Sequence, residues 1–150
     1  MTAFTVRPLT LADTGAWAAM RAALWPSEDA AILRDETAAM LARADAANFC
    51  AVSSEGRLIG FIEVGTRDIA ESATTSPVGY IEGLWVEPGH RQRGAARTMV
   101  AAAVGWCRSR GYRELGSDVE IENAVSQAAH ERLGFTETER LVTYLMPIAD

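Results

Sequence analysis

Ile81-Glu82-Gly83-Leu84-Trp85-Val86-Glu87-Pro88-Gly89-His90-Arg91-Gln92-Arg93-Gly94-Ala95-Ala96 is the stretch on which the fold turns. A strand pattern runs through Leu84, Trp85 and Val86 and stops at Glu87-Pro88-Gly89, where proline and glycine forbid continuation. A basic turn follows, and an alanine-rich helix is predicted from Ala95 to about Arg110, ended by Gly111. The first N–H groups of a helix have no partner inside it, and the helix dipole makes that end partly positive. Gly94 permits close approach and positive φ, while Ala95 and Ala96 leave room beside the backbone. Together these make a pocket for a pyrophosphate, to which Arg91 and Arg93 can add charge-assisted bonds. A bare structural reading also exists, with Gly94 easing a bend and the arginines solvated. Placement between that strand and a long helix favours the binding reading.

Outward from this stretch, the elements alternate in type. Phe4–Arg7 is a short strand, and Thr10 with Asp13 opens a helix through Trp17, Met20 and Leu24. Pro26 stops it. Ser27-Glu28-Asp29 caps a second helix with apolar positions Ile32, Leu33, Met40 and Leu41. Asn48–Ser53 and Leu58–Arg67 are predicted strands joined by the turn Ser54-Glu55-Gly56. Asp68–Ser76 is polar and turn-like, hence a loop, and Pro77–Val86 is the next strand. Beyond the long helix, Tyr112–Val119 is a strand, Asn123–Leu133 a helix, and Phe135–Met146 one or two closing strands. The predicted order is β-α-α-β-β-β-α-β-α-β-β, a mixed α/β domain with a central, mostly antiparallel sheet. With no linker, repeat or low-complexity tract, residues 1–150 are expected to form a single domain.

Composition narrows the function. Hydrophobic residues make up 49 % and charged residues 23 %, as in a soluble globular protein. The net charge is −6, and all fourteen basic residues are arginine. Nucleic acid repels such a surface, whereas a cationic partner suits it. No stretch is apolar enough to span a membrane, and the N-terminus lacks a basic-then-apolar signal layout, so a cytoplasmic location is expected. Cys50 and Cys107 lie in apolar stretches and are expected to be reduced core thiols. His90 and His130 are isolated, without metal-ligand spacing, so no metal is expected.

The basic turn resembles the signature Q/R-x-x-G-x-G/A of the GNAT superfamily of N-acetyltransferases, matched by Arg91-Gln92-Arg93-Gly94-Ala95-Ala96. A second landmark agrees: Asn123 opens a helix that ends in Leu133-Gly134-Phe135. The resemblance covers the whole chain in element order. It implies acetyl-CoA as co-substrate, held by Arg91–Ala96, by Asn123 and His130, and by the main chain of Leu84, Trp85 and Val86 on a splayed strand. A closer likeness is to the single-domain aminoglycoside 6′-N-acetyltransferases, in Leu24-Trp25-Pro26, Thr75-Ser76-Pro77-Val78, Ile81-Glu82-Gly83, Gly116-Ser117-Asp118 and Phe135-Thr136-Glu137-Thr138-Glu139-Arg140. Such enzymes acetylate the 6′-amine of drugs such as tobramycin or kanamycin and so block their binding to ribosomal RNA. The resemblance also favours a homodimer through the apolar closing segment Leu141–Met146, a strand that would be sticky if exposed.

The chemistry implied is attack by a neutral amine on a thioester carbonyl. An alkylammonium with a pKa of about 10.4 must first lose a proton, so the site must bind a cation and accept that proton. Glu82, on the strand leading to the turn, and Asp118, ending the neighbouring strand, are the catalytic candidates and could converge on one amine. Each also has a plainer reading: Glu82 as an outward strand residue, Asp118 as part of an acidic run with Glu120 and Glu122. Glu139 either contacts a second drug amine or alternates outward on an exposed strand. Trp25 either stacks on a sugar ring or packs in the core, and Glu28 is either a substrate contact or a first-turn acid.

Two departures from the family stand out. His130 occupies the position where many members place a tyrosine that protonates the departing thiolate, with Tyr144 a possible substitute. The Asp68–Ser76 loop also lacks the aromatic residue common in drug-binding loops. The remaining alternatives are another amine, such as a polyamine or a peptide N-terminus, and a noncatalytic acyl-coenzyme A sensor.

Overall fold

A computed structural model describes residues 3–150, which divide into two compact units, one up to Asp118 and a second, Val119–Asp150. In the first, strands β1 (Phe4–Pro8), β2 (Ala47–Ser53), β3 (Leu58–Arg67), β4 (Val78–Val86) and β5 (Leu115–Gly116) lie side by side in chain order. The first four pair antiparallel; β5 joins β4 in parallel. Helices α1 (Thr14–Leu24) and α2 (Ala30–Leu41) precede β2, and α3 (Ala95–Ser109) connects β4 to β5.

The capping signals work as the sequence implies. Asp29 accepts from the N–H groups of Ala31 and Ile32 at 2.8 and 3.2 Å and starts α2. Thr10 donates from both its N–H and its hydroxyl to Asp13 at 2.8 and 3.0 Å. Asp13 also receives the Arg7 guanidinium through both its oxygens, at 2.7 and 2.9 Å, which ties the start of α1 to β1. Gly56, at φ 82°, closes the β2–β3 hairpin.

Strand β3 is buried along nearly its whole length because helices cover both faces. Phe61 packs with Trp17 and Met20 of α1, while a side chain at Gly60 would press on Met99 of α3. A strand covered on both faces shows a near-continuous apolar run instead of alternation, and Ile59-Gly60-Phe61-Ile62 is that run. Glu63 interrupts it. Its carboxylate accepts from Trp17 Nε1 and Arg21 Nε, both at 2.8 Å, and Arg21 also reaches Glu36 and the Leu33 carbonyl. Cys50 and Cys107 are free and buried; burial pushes the Cys50 thiol up to about 11, which suits an inert core residue.

The second unit contains α4 (Ala124–Arg132). Two sequence expectations need correction here and at β5. The closing strands expected over Phe135–Met146 do not form: residues 135–150 are neither helix nor strand. A strand exists only through its ladder, and this unit offers none, so Val142, Tyr144, Leu145 and Met146 are 77–95 % exposed. The strand expected over Tyr112–Val119 shrinks to Leu115–Gly116. Tyr112 is claimed by other partners, its N–H by Cys107 O at 2.9 Å, its hydroxyl by Thr66 at 2.7 Å and its ring by Trp106.

Candidate active site

Register places a β-bulge at the centre of the sheet. Glu63 pairs with Gly83 and Val64 with Ile81, so Glu82 is the extra residue of β4. A bulge re-aims a side chain and increases local twist, and Glu82 is exposed while Ile81 and Gly83 beside it are buried. Gly83 has a second role. Trp25, the residue that ends α1, lays its ring where a Gly83 Cβ would be, 2.8 Å from that position. The Trp25 ring meets Phe61 edge-on at 6.4 Å, and the Arg21 guanidinium lies 5.0 Å from its centre. Trp25 is thus half-buried, packed against Phe61, Gly83 and Arg21. Glu28 is exposed, its N–H bonded to Trp25 O at 3.1 Å.

Past the bulge, β4 has one paired edge and one open one. Leu84, Trp85 and Val86 pair with Ile62, Phe61 and Gly60 of β3. On the other side, the ladder to β5 consists of Gly79↔Leu115 and Tyr80↔Gly116 and goes no further. Strand β4 therefore parts from β5 before reaching Leu84, while it stays paired to β3.

The turn that follows is built from unusual backbone. Gln92 takes φ 60° and Gly94 φ 93°; a left-handed residue that is not glycine is uncommon and costs energy that the surroundings must supply. Helix α3 begins with no side chain capping its N-terminus, and its first backbone bond runs from Thr98 N–H to Gly94 O at 3.0 Å. The N–H groups ahead of it have no acceptor inside the helix. Arg91 Nε donates to Val86 O at 2.7 Å, pinning the turn to the end of β4. Arg93 is exposed. Glu87 holds Arg57 through two bonds of 2.8 Å, and His90 Nδ1 lies 2.9 Å from its carboxylate.

Glu82 and Asp118 are joined through two residues that sequence reasoning missed. Arg67 donates to Glu82 at 2.9 and 2.8 Å, and its guanidinium lies 3.6 Å from the centre of the Tyr80 ring. The Tyr80 hydroxyl donates to Asp118 Oδ2 at 2.8 Å. The available signal was the spacing Tyr80-x-Glu82 on a strand and Arg67 at the end of its hairpin partner. The neighbouring Asp68–Ser76 loop is fastened by Glu114, which accepts from the N–H groups of Thr74 and Thr75 at 2.9 and 2.7 Å.

Three candidates belong to the second unit. Asn123 caps α4, its Oδ1 accepting from Ser126 N–H at 3.0 Å. His130 Nδ1 donates to Ser126 O at 2.8 Å, and its ring packs on Phe135 at 5.4 Å. A carbonyl can only accept, so Nδ1 of His130 is the donor in this bond. Glu139 is exposed. Among the described residues there is no group of three or more His, Cys, Asp or Glu that could hold a metal ion, and no helix long and apolar enough to cross a membrane.

A strand that parts from one neighbour, a left-handed basic turn and a helix N-terminus without a side-chain cap together form an arrangement suited to a pyrophosphate. The chain belongs to the acetyltransferase (GNAT) family, which residues 16–135 match. It is 41 % identical over 145 residues to an aminoglycoside N(6′)-acetyltransferase type 1 of Stenotrophomonas maltophilia, covering 96 % of this chain and 94 % of that one. A protein of the same description from Salmonella typhimurium is 38 % identical, over 93 % and 96 % of the two chains. Among solved structures, the aminoglycoside 6′-N-acetyltransferase AAC(6′)-IG of Acinetobacter haemolyticus superposes with a TM-score of 0.92 at 32 % identity, over 97 % of this chain and 99 % of that one. AAC(6′)-Iy in complex with the bisubstrate analogue CoA-S-monomethyl-acetylneamine also gives 0.92, at 33 % identity and the same coverage.

Proposed function

We infer that this chain is an acetyl-CoA-dependent aminoglycoside 6′-N-acetyltransferase. The observation that carries it is the course of β4, which bears Glu82 and then runs through Leu84–Val86 into the Arg91–Ala96 turn. Four residues of strand, about 13 Å, separate the exposed Glu82 carboxylate from the end of β4, and Glu87–His90 lead on to the turn. Relatives of nearly the same length that bear this activity in their names support the substrate class.

The chain's own groups divide the work. Main-chain N–H groups at the start of α3 and around Gly94, with Arg93, hold the pyrophosphate. The open edge of β4 at Leu84–Val86 receives the pantetheine arm. Asn123 and His130 are assigned to the coenzyme by resemblance. Glu82 binds the ammonium, and Asp118 accepts its proton. The freed amine forms a bond to the thioester carbonyl carbon; as the tetrahedral intermediate collapses the C–S bond breaks and the nitrogen gives its second proton to solvent. A coenzyme thiol, with a cysteine-like pKa of about 8.5, can leave as the thiolate and take its proton from solvent. No acid role is then required of His130. Trp25 offers an aromatic face to a sugar ring, and Glu28 and Glu139 are further contacts for a polycation. Residues 1–150 act as one N-acetyltransferase domain, which the family match supports by running across Asp118–Val119. The protein is a cytoplasmic homodimer, a reading supported by the exposed apolar side chains of Leu141–Met146.

The test is release of coenzyme A thiol from acetyl-CoA with tobramycin, spermidine or a short peptide as acceptor. Turnover of tobramycin alone, reduced about a hundredfold or more in Asp118→Asn, is the expected result. Turnover only of spermidine or peptide would overturn the aminoglycoside assignment and leave the coenzyme site standing.

A further inference from the structure

The Tyr80 side chain touches both Asp118 and the Arg67 that holds Glu82. It is 3 % exposed, and its position is fixed from three sides. Pairing of Tyr80 with Gly116 in the β4–β5 ladder sets its backbone. A Cβ on Gly116 would lie 2.8 and 2.9 Å from Tyr80 Cδ2 and Cε2, so the ring fills space that only a glycine leaves. The Arg67 guanidinium covers the ring at 3.6 Å from its centre. From this seat the hydroxyl donates to Asp118 Oδ2 at 2.8 Å. Burial, with Asp118 beside it, holds the phenol far above its ordinary value, so it stays a donor throughout the working range.

The consequence for the two carboxylates follows from geometry. Asp118 is exposed and would otherwise rotate freely; one oxygen is engaged by Tyr80, which orients the other. Glu82 is exposed as well, and its partner Arg67 rests on the Tyr80 ring, a cation–π contact that limits where the guanidinium fork can point. We propose that Tyr80 is a positioning residue for acetyl transfer, its hydroxyl aiming Asp118 and its ring seating the Arg67 that holds Glu82. This rests on the assignment of Asp118 as proton acceptor.

The experiment compares wild type, Tyr80→Phe, Asp118→Asn and the double variant in steady-state turnover of tobramycin, with thermal midpoints measured alongside. Loss of a hydrogen bond to a charged group predicts that Tyr80→Phe lowers kcat roughly tenfold. Its KM for tobramycin should move less than twofold, because Phe keeps the seat for Arg67. In the Asp118→Asn background the same change should cost nothing further, since the group being aimed is gone. Tyr80→Leu removes the seat too and should raise KM several-fold. Wild-type kcat in Tyr80→Phe while Asp118→Asn is impaired overturns the positioning role alone. Wild-type kcat in both overturns it together with the Asp118 assignment, and additive losses in the double variant also overturn it. Should Tyr80→Phe lose thermal stability, Gly116→Ala serves instead. It keeps every polar group and pushes the ring aside, so unchanged kcat there refutes the proposal.

Discussion

Arg21–Glu63 and Arg67–Glu82 are both arginine–glutamate pairs anchored on β3, yet they do different things. Side chains of the first pair are 6 % and 2 % exposed, those of the second 38 % and 43 %. Arg21 is enclosed between α1, α2 and β3, with Glu63, Glu36 and the Leu33 carbonyl all accepting from it. Burial pushes the Glu63 carboxyl up, and the hydrogen bonds from Arg21 and Trp17 oppose that push. Neither partner can leave without stranding the other in a dry interior. Arg67 and Glu82 face water, so parting this pair strands neither charge in a dry interior. Identical chemistry becomes a structural clamp in one place and an exchangeable contact in the other, and burial alone makes the difference. Arg7–Asp13 falls between, at 43 % and 9 % exposed.

If burial ranks the three pairs, their variants should rank the same way in stability. Arg21→Met leaves Glu63 buried without its cation and should destabilise by about 3–5 kcal/mol, read as a lower urea midpoint at neutral pH. A loss under about 1 kcal/mol would mean that the clamp is replaceable and that the contrast with Arg67 is false. Asp13→Asn should cost about 1–2 kcal/mol at neutral pH, allowing for screening around the half-exposed Arg7. The Arg7 hydrogen bonds hold the Asp13 carboxyl down from 3.8 to about 2. A depressed carboxylate contributes stability that is full above its unfolded value and fades as pH falls through its folded one. The wild type should therefore lose this increment between about pH 4 and pH 2, and Asp13→Asn should lack that part of the decline. Equal slopes in urea midpoints across this range would show that Asp13 is not the titrating group. Arg67→Met should change stability least, by about 0–1 kcal/mol, while altering KM for tobramycin. A large stability loss there would place Arg67 with the clamps and remove the exchangeable contact.

Several features were legible in the sequence because they are local. The Asp29 cap, the Ser54–Gly56 hairpin, the strand stop at Pro88 and the Gly94 turn each depend on residues a few positions apart, and each appears where expected. Glu82 and Asp118 were singled out from residue type and expected place on a strand; Asp118 lies beyond the end of β5. Tyr80 and Arg67, which connect them, were missed because strand alternation says nothing about which side chains meet across a bulge. Gln92 was expected as part of the turn, but not its positive φ, because glutamine carries no signal for that conformation.

By itself, then, the sequence determined the order of elements up to α4, the Arg91–Ala96 turn and the family, since capping, breaking and periodicity act over a few residues. Tertiary structure decided the rest. Pairing register put the bulge at Glu82, and enclosure made Glu63 a buried anchor for Arg21 and Trp17. The β-prone closing segment stayed without a strand. A strand needs a neighbour to satisfy its N–H and C=O groups, and no property of residues 135–146 can supply one.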